Sequence, residues 1–118
     1  MSRQIDDNTR TFRVNAAIGE HLRVKLHSTA DYVAVAGAGE DWIGITQHET
    51  TAADQQVVVK LKSGSGTFKV MTAGAVDLGD NLYGAARGCV DDVATGRVQF
   101  IALQAAGGAA LIEVLPTD

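Results

Sequence analysis

The chain is poor in the residues that staple, break or line a fold. A single cysteine, Cys89, among 118 residues excludes an intrachain disulfide and leaves no set of thiolates for a metal cage. It reads as a small residue near the turn Arg87-Gly88-Cys89-Val90. Proline occurs once, as Pro116, just past a last expected strand where a missing N–H is harmless. Aromatic residues are 5% of the chain, too few for a deep pocket lined by large side chains or a base-stacking platform. No apolar run nears the roughly 20 residues of a membrane helix. The opening Met1-Ser2-Arg3-Gln4-Ile5-Asp6-Asp7 lacks the apolar stretch of a signal peptide, so a soluble protein made in a cytoplasm, with no membrane partner, is expected. Basic residues are outnumbered 10 to 14, and a net charge of −4 argues against direct affinity for nucleic acid.

What the chain has is 46% hydrophobic residues, largely Ala and Val, together with 13 glycines. That composition buries a core, and the length suits one domain. The apolar period is two. In His21 to His27, Leu22, Val24 and Leu26 share one face and Arg23 and Lys25 the other. Gln56 to Lys62 repeats the pattern with Val57, Val59 and Leu61 inward, as does Thr67 to Val70. Tyr32 to Ala36, Trp42 to Gln47, Arg97 to Leu103 and Ala110 to Leu115 are further candidate strands. Turn residues separate them: Gly37-Ala38-Gly39, Ser63-Gly64-Ser65-Gly66 (read as a hairpin turn), Gly79-Asp80-Asn81 and Gly107-Gly108. Helix signals are limited to one short turn at Thr50 to Gln55. The expected class is all-β, a compact sandwich or barrel with at most one short helix.

The chain also reads as two pseudo-repeated halves, 16–62 and 75–115, which suggests two sheets closing on a shared core. Ile18-Gly19-Glu20-His21-Leu22 matches Leu78-Gly79-Asp80-Asn81-Leu82, Trp42 to Ile45 matches Phe100 to Leu103, and Val58 to Leu61 matches Leu111 to Val114. Trp42 and Phe100 are expected to form a core pair. Residues 1–13 differ in kind and read as a flexible N-terminal arm ahead of a single β domain at 14–118. With Arg3, Arg10 and Arg13 against Asp6 and Asp7, the arm carries +1 and leaves −5 for the remainder.

No catalytic constellation stands out. His21, His27 and His48 lack a metal-ligand spacing and read as surface residues. The pairs Glu40-Asp41, Asp91-Asp92 and Asp6-Asp7 sit at turn signals without the apolar surroundings that tune an acid–base pair. Asp91-Asp92 lacks the alternating oxygen ligands of a calcium loop, and Gly64-Ser65-Gly66-Thr67 lacks the lysine of a phosphate loop. Lys60, Lys62 and Lys69 read as charges that blunt a solvated or edge strand. No enzyme activity, cofactor or metal is therefore expected, and a binding or structural role is.

The order of these pieces resembles the capsid cement, or head decoration, proteins of tailed bacteriophages. A polar arm precedes Ile18-Gly19-Glu20-His21-Leu22 and Trp42-Ile43-Gly44-Ile45. Gly66-Thr67-Phe68-Lys69-Val70, Ala73 to Gly84 and Ile101 to Gly108 before Leu111 to Leu115 follow, so the resemblance spans residues 10–115. It departs in the length of Asp92-Val93-Ala94-Thr95-Gly96. The resemblance implies a non-enzymatic virion protein on the outer capsid surface, bound to the major capsid protein, homotrimeric, and stabilising the expanded shell. Arg3, Ile5, Arg10, Phe12 and Arg13 are then the expected capsid-binding residues of the arm. The runner-up reading is a carbohydrate-binding or carrier-type β module, and a β-clip or cupin-like enzyme fragment is third.

Overall fold

A computed structural model of the chain describes residues 8–63 and 66–117. The described residues form ten strands and one 3₁₀ turn, Ala86–Gly88. The first five are β1 (Thr9–Val14), β2 (Arg23–Leu26), β3 (Tyr32–Val35), β4 (Gly44–Thr46) and β5 (Gln56–Leu61). They close into a barrel in the order β1-β3-β2-β4-β5, with β1 antiparallel to β5 and parallel to β3. The remainder are β6 (Phe68–Met71), β7 (Asn81–Gly84), β8 (Val90–Asp91), β9 (Val98–Ala102) and β10 (Leu111–Pro116). These form a second sheet in the order β6-β10-β9-β7-β8.

The two sheets share one plan. With β1–β5 set against β6–β10 in chain order, β3-β2-β4-β5-β1 corresponds neighbour for neighbour to β8-β7-β9-β10-β6. Gly44 pairs with Leu61 as Ala102 pairs with Val114, so β4–β5 and β9–β10 also agree in register. In β2 and β7 the registers are out of step with the Leu22–Leu82 match: Val24 opposes Gly44, whereas Ala102 exchanges hydrogen bonds with Gly79 and Asp80. The halves differ most at closure. In the first, β1 and β3 pair at Arg13↔Tyr32 and Val14↔Val33; in the second, the equivalent seam is a single parallel bridge, Thr72↔Val90.

Three sequence expectations are corrected here. The segment 1–13 is not an arm throughout, because β1 starts at Thr9 and its period-two pattern sends Phe12 and Val14 into the barrel and Thr11 and Arg13 outward. Arg3 and Ile5 lie outside the described residues. Of the hairpin turn expected at Ser63-Gly64-Ser65-Gly66, Gly64 and Ser65 lie outside the described residues, but the flanking strands are not hairpin partners: β5 pairs with β1 and β4 and β6 pairs with β10, so the chain passes from one sheet to the other between them. In β2 the faces are not apolar-in and charged-out, since Arg23 is fully buried while Leu26 is 61% exposed. The face of β2 that carries Arg23 is covered there by the second half of the chain, whereas Leu26, on the same face as buried Val24, lies at the strand's end and is open to solvent.

Nor is there one shared core. Phe12, Val14, Ile18, Val24, Val33, Val57 and Val59 fill the barrel. Phe68, Val70, Val76, Leu82, Phe100, Ile112 and their neighbours form a second cluster, which also takes Trp42 and Ile45 from the first half. The reason lies in β4. Gly44 faces the barrel, where a Cβ would stand 2.4 Å from Val59 Cγ1 and from Lys60 O, and Ile45 on the opposite face projects into the second cluster. Trp42 stacks on Phe100 at 4.6 Å and meets Phe68 edge-on at 5.5 Å, which is the expected core pair.

Candidate interaction surfaces and the arginine between the sheets

Of the expected arm contacts, the structure brings Arg10, Phe12 and Arg13 together at one end of the barrel. The Phe12 ring is 3% exposed, and the Arg10 guanidinium lies 4.5 Å from its centroid. Phe12 is therefore a core residue capped by Arg10. Arg10 donates to Asp31 Oδ1 at 2.8 Å, and Arg13 donates to the Asp54 carbonyl at 2.9 Å. Asp31 and Asp54 both take left-handed backbone, each at φ 67°, as the Asp carboxylate tolerates, and each ties β1 down: Arg13 N–H donates to Asp31 O and Asp54 N–H to Val14 O. The Tyr32 hydroxyl donates to Asp54 Oδ1 at 2.6 Å, and that bond raises the phenol above its usual pKa. Arg10 and Arg13 remain exposed on this rim.

A second surface is the outer face of the second sheet. Leu111 sits beside Met71, Glu113 beside Lys69, and Leu115 beside Ile101, all on the face away from the core. Leu103 N–H donates to Glu113 O, which places its side chain on the same face. Leu103, Leu111 and Leu115 are 37%, 41% and 43% exposed, so leucines frame a Lys69–Glu113 centre. Sequence reasoning read these leucines as strand positions without separating the two faces. Their spacing at 111 and 115, out of phase with buried Ile112 and Val114, is the signal that separates them.

The largest departure from sequence expectation is Arg23. It leaves β2 toward the second sheet and spends every donor nitrogen on oxygen acceptors. Nε donates to Cys89 O at 3.0 Å, Nη1 to Glu40 O at 3.0 Å and Gln99 Oε1 at 3.2 Å, and Nη2 to Ala85 O at 2.7 Å, Gly37 O at 3.0 Å and Ala36 O at 3.4 Å. Burial pushes the guanidinium down to about 10, well above neutrality, so the group stays charged. Space for it comes from Gly84, where a Cβ would lie 2.8–2.9 Å from the guanidinium atoms. Gly88, at φ 76°, would drive a Cβ to 2.9 Å from Arg23 O. The turn that offers the Glu40 and Gly37 carbonyls is itself set by Glu40, whose Oε1 accepts from Gly37 N–H and whose Oε2 accepts from Lys25 Nζ, each at 2.6 Å. Those two bonds, Lys25 first, hold the Glu40 carboxyl below its usual pKa.

The remaining chemistry-bearing residues are engaged locally. His27 Nδ1 accepts from Thr29 N–H at 3.1 Å, and His48 Nε2 accepts from Val58 N–H at 3.1 Å. His21 takes φ 56° and stands 4.0 Å from Glu20. No group of three or more His, Cys, Asp and Glu converges among the described residues. Cys89 is half-buried and burial raises its pKa, which disfavours the thiolate. Lys60 and Lys62 do not blunt an edge, because β5 has neighbours on both sides. Lys60 lies 4.3 Å from the Phe68 ring and donates to Thr67 O, while Lys62 lies 5.5 Å from the Trp42 ring. Lys69 does stand on the edge strand β6.

Cavities open on the surface among the described residues, at two places in particular. One, of about 580 Å³, is lined by Trp42, Ile43, Leu61, Lys62 and Ser63. The other, of about 470 Å³, follows the seam between β6 and β8 and is lined by Met71, Thr72, Ala85, Arg87, Cys89 and Asp91 among others. Neither brings together an acid–base pair with opposed pKa shifts.

The sequence matches no protein-family model and no curated protein. Among solved structures the fold is similar to that of the head fiber gp8.5 N base of bacteriophage phi29. The TM-score is 0.75 at 17% identity, and the match covers 92% of each chain.

Proposed function

We propose that this chain is a non-enzymatic structural protein of a bacteriophage head, seated on the outer surface of the shell against the major capsid protein and strengthening it. The observation that carries the reading is the match to a head fiber base over 92% of both chains, which leaves little of either fold unaccounted for. The resemblance of residues 10–115 to head decoration proteins supports it independently of the coordinates.

Two surfaces divide the work in this reading. The leucine face of the second sheet, with its Lys69–Glu113 centre, joins copies of the chain into a trimer, since the lysine of one copy finds the glutamate of another. The rim bearing Arg10 and Arg13, with Arg3 upstream, meets the shell. Phe12 has no part in that contact, because its ring is inside the barrel. Several weak rim contacts made at once by one oligomer give firm attachment.

The test is co-sedimentation with purified heads lacking this chain, from the phage that encodes it. Saturable binding at a fixed number of copies per head is expected, with a mass near three subunits by light scattering. Arg10→Gln/Arg13→Gln should lower occupancy at least tenfold. Unchanged occupancy with the double variant removes the rim from the mechanism, and absence of any saturable binding by the wild-type chain overturns the reading.

A further inference from the structure

The second sheet stays open where the barrel closes. β6 and β8 meet in a single parallel bridge, Thr72↔Val90, and beside it lies the cavity of about 470 Å³. Thr72 and Val90 are buried, so the alternate residues Met71, Ala73, Cys89 and Asp91 face away from the core and line this groove together with further alanines. Two charges border it. Asp91 is turned onto its own loop, where Oδ1 accepts from Val93 N–H at 3.2 Å. Arg87 takes left-handed backbone, φ 61°, in the 3₁₀ turn, and is exposed with no hydrogen bond or ion pair among the described residues. The groove therefore suits one apolar side chain carried next to a carboxylate.

The same chain exposes such a group. Leu78 is 70% exposed, more than any other large hydrophobic residue described, and exposed Asp77 precedes it directly. Both belong to a turn closed by Asp80 N–H onto Asp77 O at 3.1 Å, with Gly79 at φ 84° and the Asp80 carboxylate accepting from Asp77 N–H at 2.9 Å. The turn is therefore preformed, and Gly79 N–H fixes it to Ala102 O, next to Leu103. Because Leu78 is so exposed, it does not fill the groove of its own chain. Groove and turn both adjoin the leucine face: Met71 lines the groove and sits beside Leu111, and Leu103 adjoins the turn.

We propose that the groove between β6 and β8 receives the Asp77–Asp80 turn of a second copy, with Leu78 in the groove and Asp77 against Arg87. In a ring each copy presents one surface to the neighbour ahead and a different one to the neighbour behind, and a groove and a projecting turn on one chain are such a pair. Repeated head to tail about a threefold axis, the contact closes into a trimer and leaves no groove empty. The Asp77–Arg87 pair sets the direction of the ring, because reversing one copy would leave both charges unmatched. The inference rests on the trimer reading given above and supplies the contact that closes it.

Charge exchange in the full chain, read by light scattering over a dilution series, tests it. Asp77→Lys and Arg87→Glu should each raise the trimer dissociation constant at least tenfold, and the double variant should recover most of the loss. A double variant as weak as either single one overturns the contact. Cross-linking gives a second readout, because Cys89 is the sole native cysteine and lines the groove. Leu78→Cys under mild oxidation with diamide should link separate chains into covalent dimers and trimers, and adding Cys89→Ser should abolish the links. Leu26→Cys, 61% exposed on the barrel, should give none. A mass of three subunits with no such links and no effect of either charge change overturns this contact and leaves the trimer reading standing. A strict monomer at every concentration overturns both.

Discussion

Replacing Arg23 by Met keeps much of the side-chain stem and removes the group that bonds both halves of the molecule. Four of its six acceptors keep a second donor: Gly88 N–H serves Ala36 O, Glu40 N–H serves Gly37 O, Ala85 N–H serves Cys89 O, and Gln99 Nε2 serves Glu40 O. Ala85 O and Gln99 Oε1 are the two that lose their donor. At about 1–3 kcal/mol for each buried acceptor left bare, the loss is about 2–6 kcal/mol. Relief from burying a charge offsets part of it, and a net loss of about 3 kcal/mol is expected. That is a large share of the roughly 5–15 kcal/mol that holds a domain folded.

Urea unfolding followed by both Trp42 fluorescence and far-ultraviolet circular dichroism reads this loss. Trp42 reports the second core, whereas the dichroism reports both sheets. The wild-type transitions should coincide, and in Arg23→Met the two should separate as the halves come uncoupled. Adding Gln99→Leu, which removes one of the bared acceptors, should recover part of the stability. A loss under about 1 kcal/mol with coincident transitions would refute the role given to Arg23.

Gly84→Ala should act through the same arginine, because the new methyl meets the guanidinium. A loss of about 1–3 kcal/mol is expected, and a double-mutant cycle with Arg23→Met should be strongly non-additive, whereas additivity would place the strain elsewhere. Phe12→Ala should destabilise by about 3–5 kcal/mol in thermal or urea unfolding, as a core truncation does, and a near-neutral result would return Phe12 to an arm. Glu40 gives a pH dependence. Its folded pKa lies below its usual value of 4.5, so its stabilisation is complete above 4.5 and fades as pH falls through the folded value. Glu40→Gln should therefore melt below wild type at pH 7, with the gap narrowing as pH falls below 4.5, and a gap that stays constant as the pH is lowered would contradict the assignment.

Strand positions were legible where one face of a strand meets solvent. Gln56 to Lys62 and Thr67 to Val70 alternate cleanly and became β5 and β6 with Val57, Val59, Phe68 and Val70 buried. β1 was hidden because just two inward residues, Phe12 and Val14, interrupt an otherwise polar run. β8 is two residues long, below the length at which alternation is visible. The Gly/Ser turn after β5 carries the same local chemistry whether the chain folds back on its own strand or crosses to another sheet, so the crossover had no local signature. Arg23 was unreadable for a deeper reason. Its acceptors at Ala85, Cys89 and Gln99 lie 62 to 76 residues away, and β2 alone presents it as one more solvent-facing charge. The leucine face was half legible, since the phase of Leu111, Glu113 and Leu115 is present in the sequence but which phase faces solvent is decided by the other strands.

The most direct test of the central claim is electron cryomicroscopy of heads from the encoding phage, with and without this chain. Difference density on the outer surface at symmetry-related positions, fitting the barrel and the second sheet with the Arg10–Arg13 rim toward the shell, is the expected result. Identical maps from the two preparations would contradict the account.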